Sequence, residues 1–243
     1  MINTYQKAIA LLDKAGNAEE NAKIRSDIEG LFITSQVASC DNLIALFTPR
    51  FEADPDNMDL ITNIVKMLGS TDGCQNNDLF LGAVTKMHKN EPSASSAYYL
   101  YKLHAAKDES SEAIEYFEEA VSLCTDDDPV KADYMIELAT YCLKNNITGK
   151  ALDYANKAAS LKPDHQGKAY DLIATIWGAA RCGGNEIESR AKYWVAVDYL
   201  QKAKAADASL TEDCNKLISA YSVYYPQKAE AFMYDVVDGQ SYT

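Results

Sequence analysis

A short pattern of apolar residues recurs along this chain, and it limits the folds that the chain can adopt. An alanine, a second apolar residue four positions later and another alanine three positions after that share one face of an α-helix. Small residues let two helices approach closely, and the middle residue fills the space between neighbouring helices. Repeated, closely packed helices are therefore predicted. The three clearest copies are Ala113-x3-Phe117-x2-Ala120, Ala151-x3-Ala155-x2-Ala158 and Ala196-x3-Leu200-x2-Ala203.

Helical periodicity extends over the rest of the chain and predicts an all-α fold made of helix pairs. Between Pro129 and Asn145 the apolar residues fall on one face of a helix. We expect Asp128 to cap the start of that helix, and Ser209 with Glu212 matches a capping box. The predicted helices cover 4–15, 19–35, 41–53, 57–69, 76–89, 94–107, 110–124, 129–145, 148–161, 165–181, 187–206 and 210–224.

The recurring unit resembles the tetratricopeptide repeat (TPR), a helix–turn–helix of about 34 residues with an A-x3-F motif and a trailing proline, here Pro163. The resemblance is strongest over 94–165 and weak before residue 93. The three copies lie 38 and 45 residues apart, which indicates insertions, the longer one at 178–195. The resemblance implies a TPR-like α-solenoid, a right-handed superhelix of antiparallel helix hairpins. The segment from Gly183 to Tyr199 is similar to TPR proteins of bacterial envelopes.

Repeat quality divides the chain into three predicted regions. Residues 1–93 are divergent TPR-like repeats that start in mid-repeat, because the helix over 4–15 matches a second helix without its first. Residues 94–209 hold the clearer repeats and the insertion. Residues 210–243 are predicted to form a C-terminal capping helix and a truncated tail, strand-like over 236–243. We expect the chain to be part of a longer protein.

The charge of the chain bears on its partners and its compartment. Acidic residues outnumber basic ones by 36 to 23, a net charge of -13. This charge repels nucleic-acid phosphates and anionic lipids, so we expect no nucleic-acid partner. No apolar run approaches the roughly 18 residues that span a bilayer, so we expect no membrane insertion. No signal peptide is recognisable, and the similarity to envelope proteins favours the bacterial periplasm or cell envelope over the cytoplasm.

The six cysteines do not form a metal-binding pattern. None of them belongs to a C-x2-C pair, so the sequence does not predict a zinc site. Cys142 falls on an apolar helical stripe, where a free thiol behaves as a small hydrophobic side chain. Structural thiols are the favoured interpretation. The alternative is a disulfide among Cys74, Cys182 and Cys214.

No group of residues in the sequence predicts catalysis. The chain has no P-loop, no GxGxxG and no H-E-x-x-H motif, and its three histidines lie in different repeats. We expect His104 to be structural, because no acid or metal ligand accompanies it at helical spacing. Acidic residues such as Glu115 are expected to form a solvated helix face. We therefore predict no enzymatic activity, no metal and no cofactor.

The resemblance to TPR proteins implies a partner-binding groove on the concave side, lined by the first helix of each hairpin. Tyrosine, tryptophan and arginine suit such an interface, and the expected partner is a protein or peptide. Lys102 and Lys144 are placed as in a carboxylate clamp, but the asparagines of that motif are missing. For the tyrosines, the alternative is a packing role. The candidate residues are Tyr98, Lys102, Asp133, Ile136, Thr140, Tyr170, Trp177 and Arg181.

The insertion is a second candidate surface, since insertions in solenoids often lie on a binding face. Its candidate residues are Asn185, Arg190, Tyr193 and Trp194. The alternative is that Tyr193 and Trp194 seal the helix hairpin. For the chain as a whole, a protein- or peptide-binding scaffold is the leading hypothesis. A structural subunit without a peptide groove is the second hypothesis. A small-ligand receptor or enzyme would need a deep pocket with converging polar groups.

Overall fold

A computed structural model describes residues 39–234 and a few single positions between 4 and 27. Its described residues form helices and connections without any β-strand, so the all-α, TPR-like expectation is confirmed. The predictions for 4–15, 19–35 and 236–243 fall largely or wholly outside the described residues. The helices are α1 (Cys40–Ala53), α2 (Met58–Gly69), α3 (Asp78–Asn90), α4 (Ala94–Ala106), α5 (Ser110–Leu123), α6 (Lys131–Lys144), α7 (Thr148–Leu161), α8 (Pro163–Ala179), α9 (Ala191–Ala206), α10 (Thr211–Ser222) and α11 (Lys228–Met233).

Side-chain caps explain where several helices begin. The side chains of Asn57, Asn77 and Ser93 accept hydrogen bonds from backbone N–H groups in the first turns of α2, α3 and α4. Two predicted caps are wrong. The helix after Asp128 begins later, at Lys131, without a side-chain cap. No capping box forms at Ser209, because its backbone N–H and its hydroxyl both donate to the carboxylate of Asp207, which shapes a 3-10 turn.

Two hairpin turns share one backbone conformation. Residues 107–109 join α4 to α5, and residues 145–147 join α6 to α7. Asp108 (φ 60°) and Asn146 (φ 62°) lie in the left-handed region, which short polar side chains tolerate. In each turn the last N–H donates to the carbonyl five residues earlier, at 3.0 and 2.8 Å. This closure satisfies a free carbonyl at the helix end and reverses the chain.

The first compact unit, Met1–Ala120, has a core of large apolar side chains. Helix α2 packs against α1 and α3, and α3 packs against α4. The rings of Tyr101 on α4 and Phe117 on α5 stack at 3.9 Å between centroids. Bulky side chains hold the helices together, and the largest fully buried ones are Phe47, Phe80, Phe117, Leu43, Ile61, Ile64, Met67, Leu68 and Leu100.

A disulfide in the first unit joins Cys40, at the start of α1, to Cys74 in the α2–α3 connection. The Cα atoms are 5.2 Å apart, and 34 residues separate the two cysteines in sequence. The favoured interpretation of all cysteines as free thiols is therefore wrong for this pair. The alternative named Cys74 but missed its partner. Cys182 is exposed and free, while Cys214 is a buried free thiol.

In the second compact unit, Val121–Thr243, several helix contacts are made through small residues. In this unit α7 contacts α6 and α8, and α9 contacts α8 and α10. Every buried residue of α7 is an alanine: Ala151, Ala155, Ala158 and Ala159. A methyl group on Gly167 of α8 would collide with the Cβ of Asp207, and one on Gly178 would collide with the hydroxyl of Tyr221. The elements of this unit therefore approach more closely than larger side chains would allow.

No helix in the described part of the chain is both long enough and apolar enough to cross a membrane.

Candidate partner-binding surfaces

In the first unit, two candidate residues of α4 lie together on its accessible side. Tyr98 is half-buried, and its ring packs 5.6 Å from the ring of Phe117, between centroids. Lys102 is exposed, with its Nζ 5.0 Å from the centroid of Tyr98 and 5.1 Å from that of Tyr101. These distances fit cation–π contacts. The amine is therefore held at a defined place on the surface, above an aromatic base.

In the second unit, three candidates lie along one face of α6. Asp133 is exposed, and Ile136 and Thr140 are half-buried. They lie outside the buried stripe of the helix, which consists of Ala132, Met135, Leu138, Ala139 and Cys142. The carboxylate of Asp133 lies 3.2 Å from Nε2 of His165 on α8, which links the two first helices. This face combines a carboxylate, a hydroxyl and a branched apolar side chain.

The candidates on and after α8 separate into packing and exposed positions. Tyr170 and Trp177 are half-buried and pack against a cluster formed by α8, α9 and α10. The ring of Tyr170 lies 5.9 Å from that of Tyr199, between centroids. Arg181 follows the end of α8 and is exposed. Thus Tyr170 and Trp177 contribute to packing and present only part of their surface to a partner.

The connection between α8 and α9 is an ordered turn. The side-chain oxygen of Asn185 accepts hydrogen bonds from the N–H groups of Ile187 and Glu188, both at 2.9 Å. The Glu188 carboxylate accepts in return from the N–H of Asn185 at 2.7 Å. Arg190 forms an ion pair with Glu230 on α11. Asn185 and Arg190 therefore shape this connection and fasten it to the C-terminal helix.

Tyr193 and Trp194 pack against aromatic residues near the end of α10. The ring of Tyr193 stacks on Tyr224, with 4.2 Å between centroids, and lies 5.3 Å from Tyr221. The indole of Trp194 meets Tyr225 edge to face at 6.3 Å. Both residues therefore make packing contacts, with rings at and just beyond the end of α10. Both remain half-buried, so part of each ring is accessible.

Histidine–carboxylate pairs form a feature that the sequence analysis missed. Nδ1 of His104 lies 2.6 Å from the carboxylate of Glu109, and the imidazole stacks on Tyr116. No acid accompanies His104 at helical spacing, as expected, but Glu109, five residues later, reaches it from beyond the end of α4. His88 is buried, with Nε2 3.2 Å from the carboxylate of Glu119. Glu109 lies after the end of α4, the helix that carries His104. Glu119 lies on α5, two helices after α3, which carries His88. Because neither pair lies within one helix, helical spacing does not reveal them.

Three ionisable groups, of which Cys214 is buried and Asp171 and Tyr221 are half-buried, cluster where α8 meets α10. Burial raises the pKa of the Asp171 carboxyl, and the charge of Asp213 raises it further. Burial also raises the pKa of the Cys214 thiol, with Asp171 as the next cause. The pKa of the Tyr221 hydroxyl is raised in the same way, first by burial and then by Tyr193. The contact between α8 and α10 is therefore disfavoured when Asp171 is charged.

A small cleft in the first unit was also not predicted. It has a volume of about 170 Å³ and lies between the α2–α3 connection and α4. The cleft is lined by Gly73, Gln75, Asn76, Phe80, Tyr99, Lys102, Leu103 and Ala106.

Within the described residues, no group of three or more histidine, cysteine, aspartate or glutamate side chains is arranged so that it could hold a metal ion.

Comparisons with known proteins identify the architecture. No family model matches the chain, and no curated protein matches its sequence. One crystal structure of MamA aligns with 21% identity over 87% of this chain and 96% of MamA, with a TM-score of 0.53. Another MamA structure aligns with 21% identity over 71% and 91%, with a TM-score of 0.52. The chain has a TPR-like fold. A structure of PilW, a type IV pilus biogenesis factor, aligns with 17% identity over 90% and 92%, with a TM-score of 0.48.

The TPR-like hairpins distribute the candidate residues over separate faces. In the first unit, α4 is a first helix and carries Tyr98 and Lys102. In the second unit, α6 and α8 are first helices; α6 carries Asp133, Ile136 and Thr140 on one accessible face, and Arg181 is exposed just beyond the end of α8. Among the described residues, α4 in the first unit and α6 in the second therefore each carry an accessible face that mixes apolar and polar side chains.

Proposed function

We propose that this TPR-like chain is a non-enzymatic scaffold that binds a protein or peptide through the accessible faces of its first helices. The main support is the face of α6. Its apolar stripe is buried, while Asp133, Ile136 and Thr140 remain accessible on another side. A face that mixes apolar area with directed polar groups suits a protein partner. The net charge of -13 favours protein over nucleic acid as the partner.

The environments of the three histidines also support a non-enzymatic role. His88, His104 and His165 each lie within 3.2 Å of a carboxylate. The pairs of His88 and His165 bridge different helices, which fits a role in packing. A catalytic histidine would need to reach the substrate from a cleft.

Photo-crosslinking tests the proposed surface. A benzoylphenylalanine at Ile136 or Thr140 of α6 should capture one partner from an extract of the source organism. The control positions are Asn156 and Ser160, which are exposed on α7. They should yield much less of that adduct. Equal capture from α6 and α7, or no adduct at either α6 position, would contradict the proposal.

A structural subunit of a larger assembly is the second candidate. It is favoured by exposed apolar side chains near the C-terminal end of the described residues. Val223, Phe232 and Met233 are 72%, 85% and 80% exposed. Such side chains are commonly covered in an assembly. If Phe232→Ser with Met233→Ser releases the chain from its native complex while Ile136→Ser does not, the subunit role is favoured.

For the compartment we propose the bacterial periplasm or cell envelope. The Cys40–Cys74 disulfide supports this assignment, since disulfides persist in oxidising compartments and are rare in the cytosol. The test is alkylation of the native protein in intact cells before lysis. Modification of both Cys40 and Cys74 by the alkylating reagent would place the protein in a reducing compartment.

A further inference from the structure

The carboxylate of Asp133 is the charged end of the α6 face, and a histidine of the next first helix holds it in place. Asp133 lies in the first turn of α6, and its side chain is 59% exposed. Nε2 of His165 on α8 lies 3.2 Å from one of its oxygens. The side chain of His165 is only 18% exposed. An accessible anion is therefore fixed to a largely buried support on a second helix.

The proton of the neutral imidazole lies on the nitrogen that faces Asp133. A carboxylate only accepts hydrogen bonds, so Nε2 of His165 must be the donor. Nδ1 is buried and has no hydrogen-bond partner among the described residues. Because no acceptor beside Nδ1 competes for the proton, the ring keeps the tautomer that donates to Asp133. The pair then has one negative charge, and the carboxylate has lone pairs left for a partner.

Two lysines near the starts of α6 and α8 have other partners. Nζ of Lys131 lies 2.7 Å from the carboxylate of Asp126. Nζ of Lys162 donates to a backbone carbonyl of the α5–α6 connection at 2.9 Å. Among the described residues, Asp133 forms its ion pair with His165 and not with a lysine or arginine. Its negative charge is therefore not matched by a permanent cation of the described part of the chain.

Apolar surface beside Asp133 favours a long occupant over a short one. Ile136 lies three residues after Asp133, so the two side chains are neighbours on the surface of α6. Ile136 is half-buried, and part of its branched side chain stays accessible. A lysine or arginine can lay its methylene stem on such a surface while its charged end reaches a carboxylate. A shorter cation would reach the carboxylate without covering Ile136.

We propose that the α6 face binds one long basic side chain of a partner protein, lysine or arginine, with its stem on Ile136 and its charged group at Asp133. His165 acts as a positioning residue. The inference rests on the proposed scaffold function, because a partner protein must supply the side chain. The net charge of -13 attracts a basic segment toward the chain. Because His165 holds the carboxylate before the partner arrives, less ordering is required on binding.

Disulfide tethering tests the proposal on the full chain, since an anchoring cysteine makes weak neighbouring contacts measurable. The anchor is Thr140→Cys, two turns after Asp133, in a Cys182→Ser background whose other free cysteines are buried. Three peptides compete for the anchor at pH 7.5, in an exchange buffer that leaves the native disulfide intact. They are acetyl-Cys-Gly-X-amide, where X is lysine, norleucine or 2,4-diaminobutyrate. Intact-mass spectrometry gives the ratios of the adducts.

The adduct ratios separate the charge of the occupant from the length of its stem. The lysine adduct should exceed the norleucine adduct about threefold at low salt, because only lysine carries a charge for Asp133. This excess should shrink as salt is added. The lysine adduct should also exceed the diaminobutyrate adduct about twofold, because the shorter stem covers less of Ile136.

Matched variants assign the charge and the stem to their residues. Asp133→Asn and Asp59→Asn each remove one exposed acid from the first turn of a helix. Asp133→Asn should make the lysine and norleucine adducts equal, whereas Asp59→Asn should leave the threefold excess unchanged. Ile136→Ser should abolish the preference for lysine over diaminobutyrate. His165→Gln retains an N–H donor and should keep the excess, while His165→Leu should reduce it below twofold.

Three results would overturn the proposal: equal lysine and norleucine adducts on the chain with Asp133, an excess that survives Asp133→Asn, or an excess lost equally in Asp59→Asn. Equal ratios for His165→Gln and His165→Leu would overturn the positioning role. None of these results would affect crosslinking from Ile136 and Thr140, which tests the scaffold function by itself. Conversely, a lysine preference without any crosslinked partner would contradict the scaffold function and support the charge recognition at Asp133.

Discussion

Helix α2 of the first unit and helix α7 of the second unit pack by opposite means. Helix α2 of the first unit buries Leu60, Ile61, Ile64, Val65, Met67 and Leu68, whereas the buried residues of α7 in the second unit are all alanines. The first unit fills the space between helices with large side chains and adds a disulfide. The second unit closes that space by bringing the helices together. The TPR signature consists of small residues at helix contacts, which explains why the resemblance is weak where bulky side chains do the packing.

Loss of one large side chain from the first unit should have the largest effect. Phe47→Ala is expected to lower the free energy of unfolding by about 3–5 kcal/mol, because Phe47 is fully buried and its removal leaves a cavity. Chemical denaturation measures this change. The control is Phe232→Ala, since Phe232 is 85% exposed. A similar decrease in the free energy of unfolding for the two variants would contradict the burial of Phe47 in this core.

Reduction of the disulfide should have the next largest effect. The bond closes a loop of 34 residues, and opening it should lower the free energy of unfolding by about 3–4 kcal/mol through loop entropy. The measurement is thermal unfolding with and without a reducing agent. Cys182→Ser should unfold like the unchanged chain in both conditions, because Cys182 is exposed and free. An unchanged melting midpoint on reduction would show that the disulfide does not stabilise the first unit.

Enlarged alanines test the close packing of the repeat motif. Ala120→Leu and Ala158→Leu are each expected to lower the free energy of unfolding by about 1–3 kcal/mol, because both side chains are completely buried. Ala205→Leu on the exposed side of α9 is the control and should be nearly neutral. If Ala158→Leu is also neutral, the second unit does not depend on small residues.

Two glycine substitutions should change stability in opposite directions. Gly167→Ala should lower the free energy of unfolding by about 1–3 kcal/mol, because the new methyl group would strike the Cβ of Asp207. Gly149→Ala should raise it by about 0.5 kcal/mol, because no atom lies within 4 Å of the new Cβ and alanine favours a helix. Denaturation curves of both variants measure the difference. Equal effects would mean that α8 tolerates a larger residue at this contact.

The smallest expected effect comes from the acid between α8 and α10. The pKa of Asp171 is raised in the folded state, chiefly by burial, so its ionisation opposes folding above the unfolded-state pKa. Asp171→Asn should therefore raise the melting temperature at pH 7 by about 1–2 °C, a small gain because the carboxyl is only half-buried. Below pH 3 the acid is protonated in both states and the gain should disappear. A gain that persists at pH 3 would rule out charge as its cause.

The helices could be predicted because their determinants are local. Apolar periodicity predicted helices α1 to α10, and the helix over 148–161 was predicted with its observed bounds, but α11 (Lys228–Met233) was not predicted. Helix caps were predicted less well. At Ser209 the neighbouring Asp207 accepts both of the hydrogen bonds that Ser209 donates, so a matching motif did not form a capping box.

The candidate site depended on contacts that sequence spacing does not show. The pairing of Cys40 with Cys74 and that of His88 with Glu119 require the register between hairpins. One signal was available: the two cysteines are 34 residues apart, the length of one TPR unit. The α2–α3 cleft was not predicted because one of its walls is a connection without repeat periodicity. The candidate binding residues on α4 and α6 could be chosen from the sequence by their side-chain types. The extent to which each of them is buried could be read only from the structure.

The covalent link between Cys40 and Cys74 also governs how the chain can be extended. A pull on its two ends cannot straighten the residues between these cysteines, so about 110–120 Å of contour length stays hidden while the bond is intact. A translocation pore or an unfolding ATPase would meet two parallel segments of polypeptide at that point instead of one. Export in the unfolded state would therefore have to precede oxidation, and degradation by a threading protease would require reduction first.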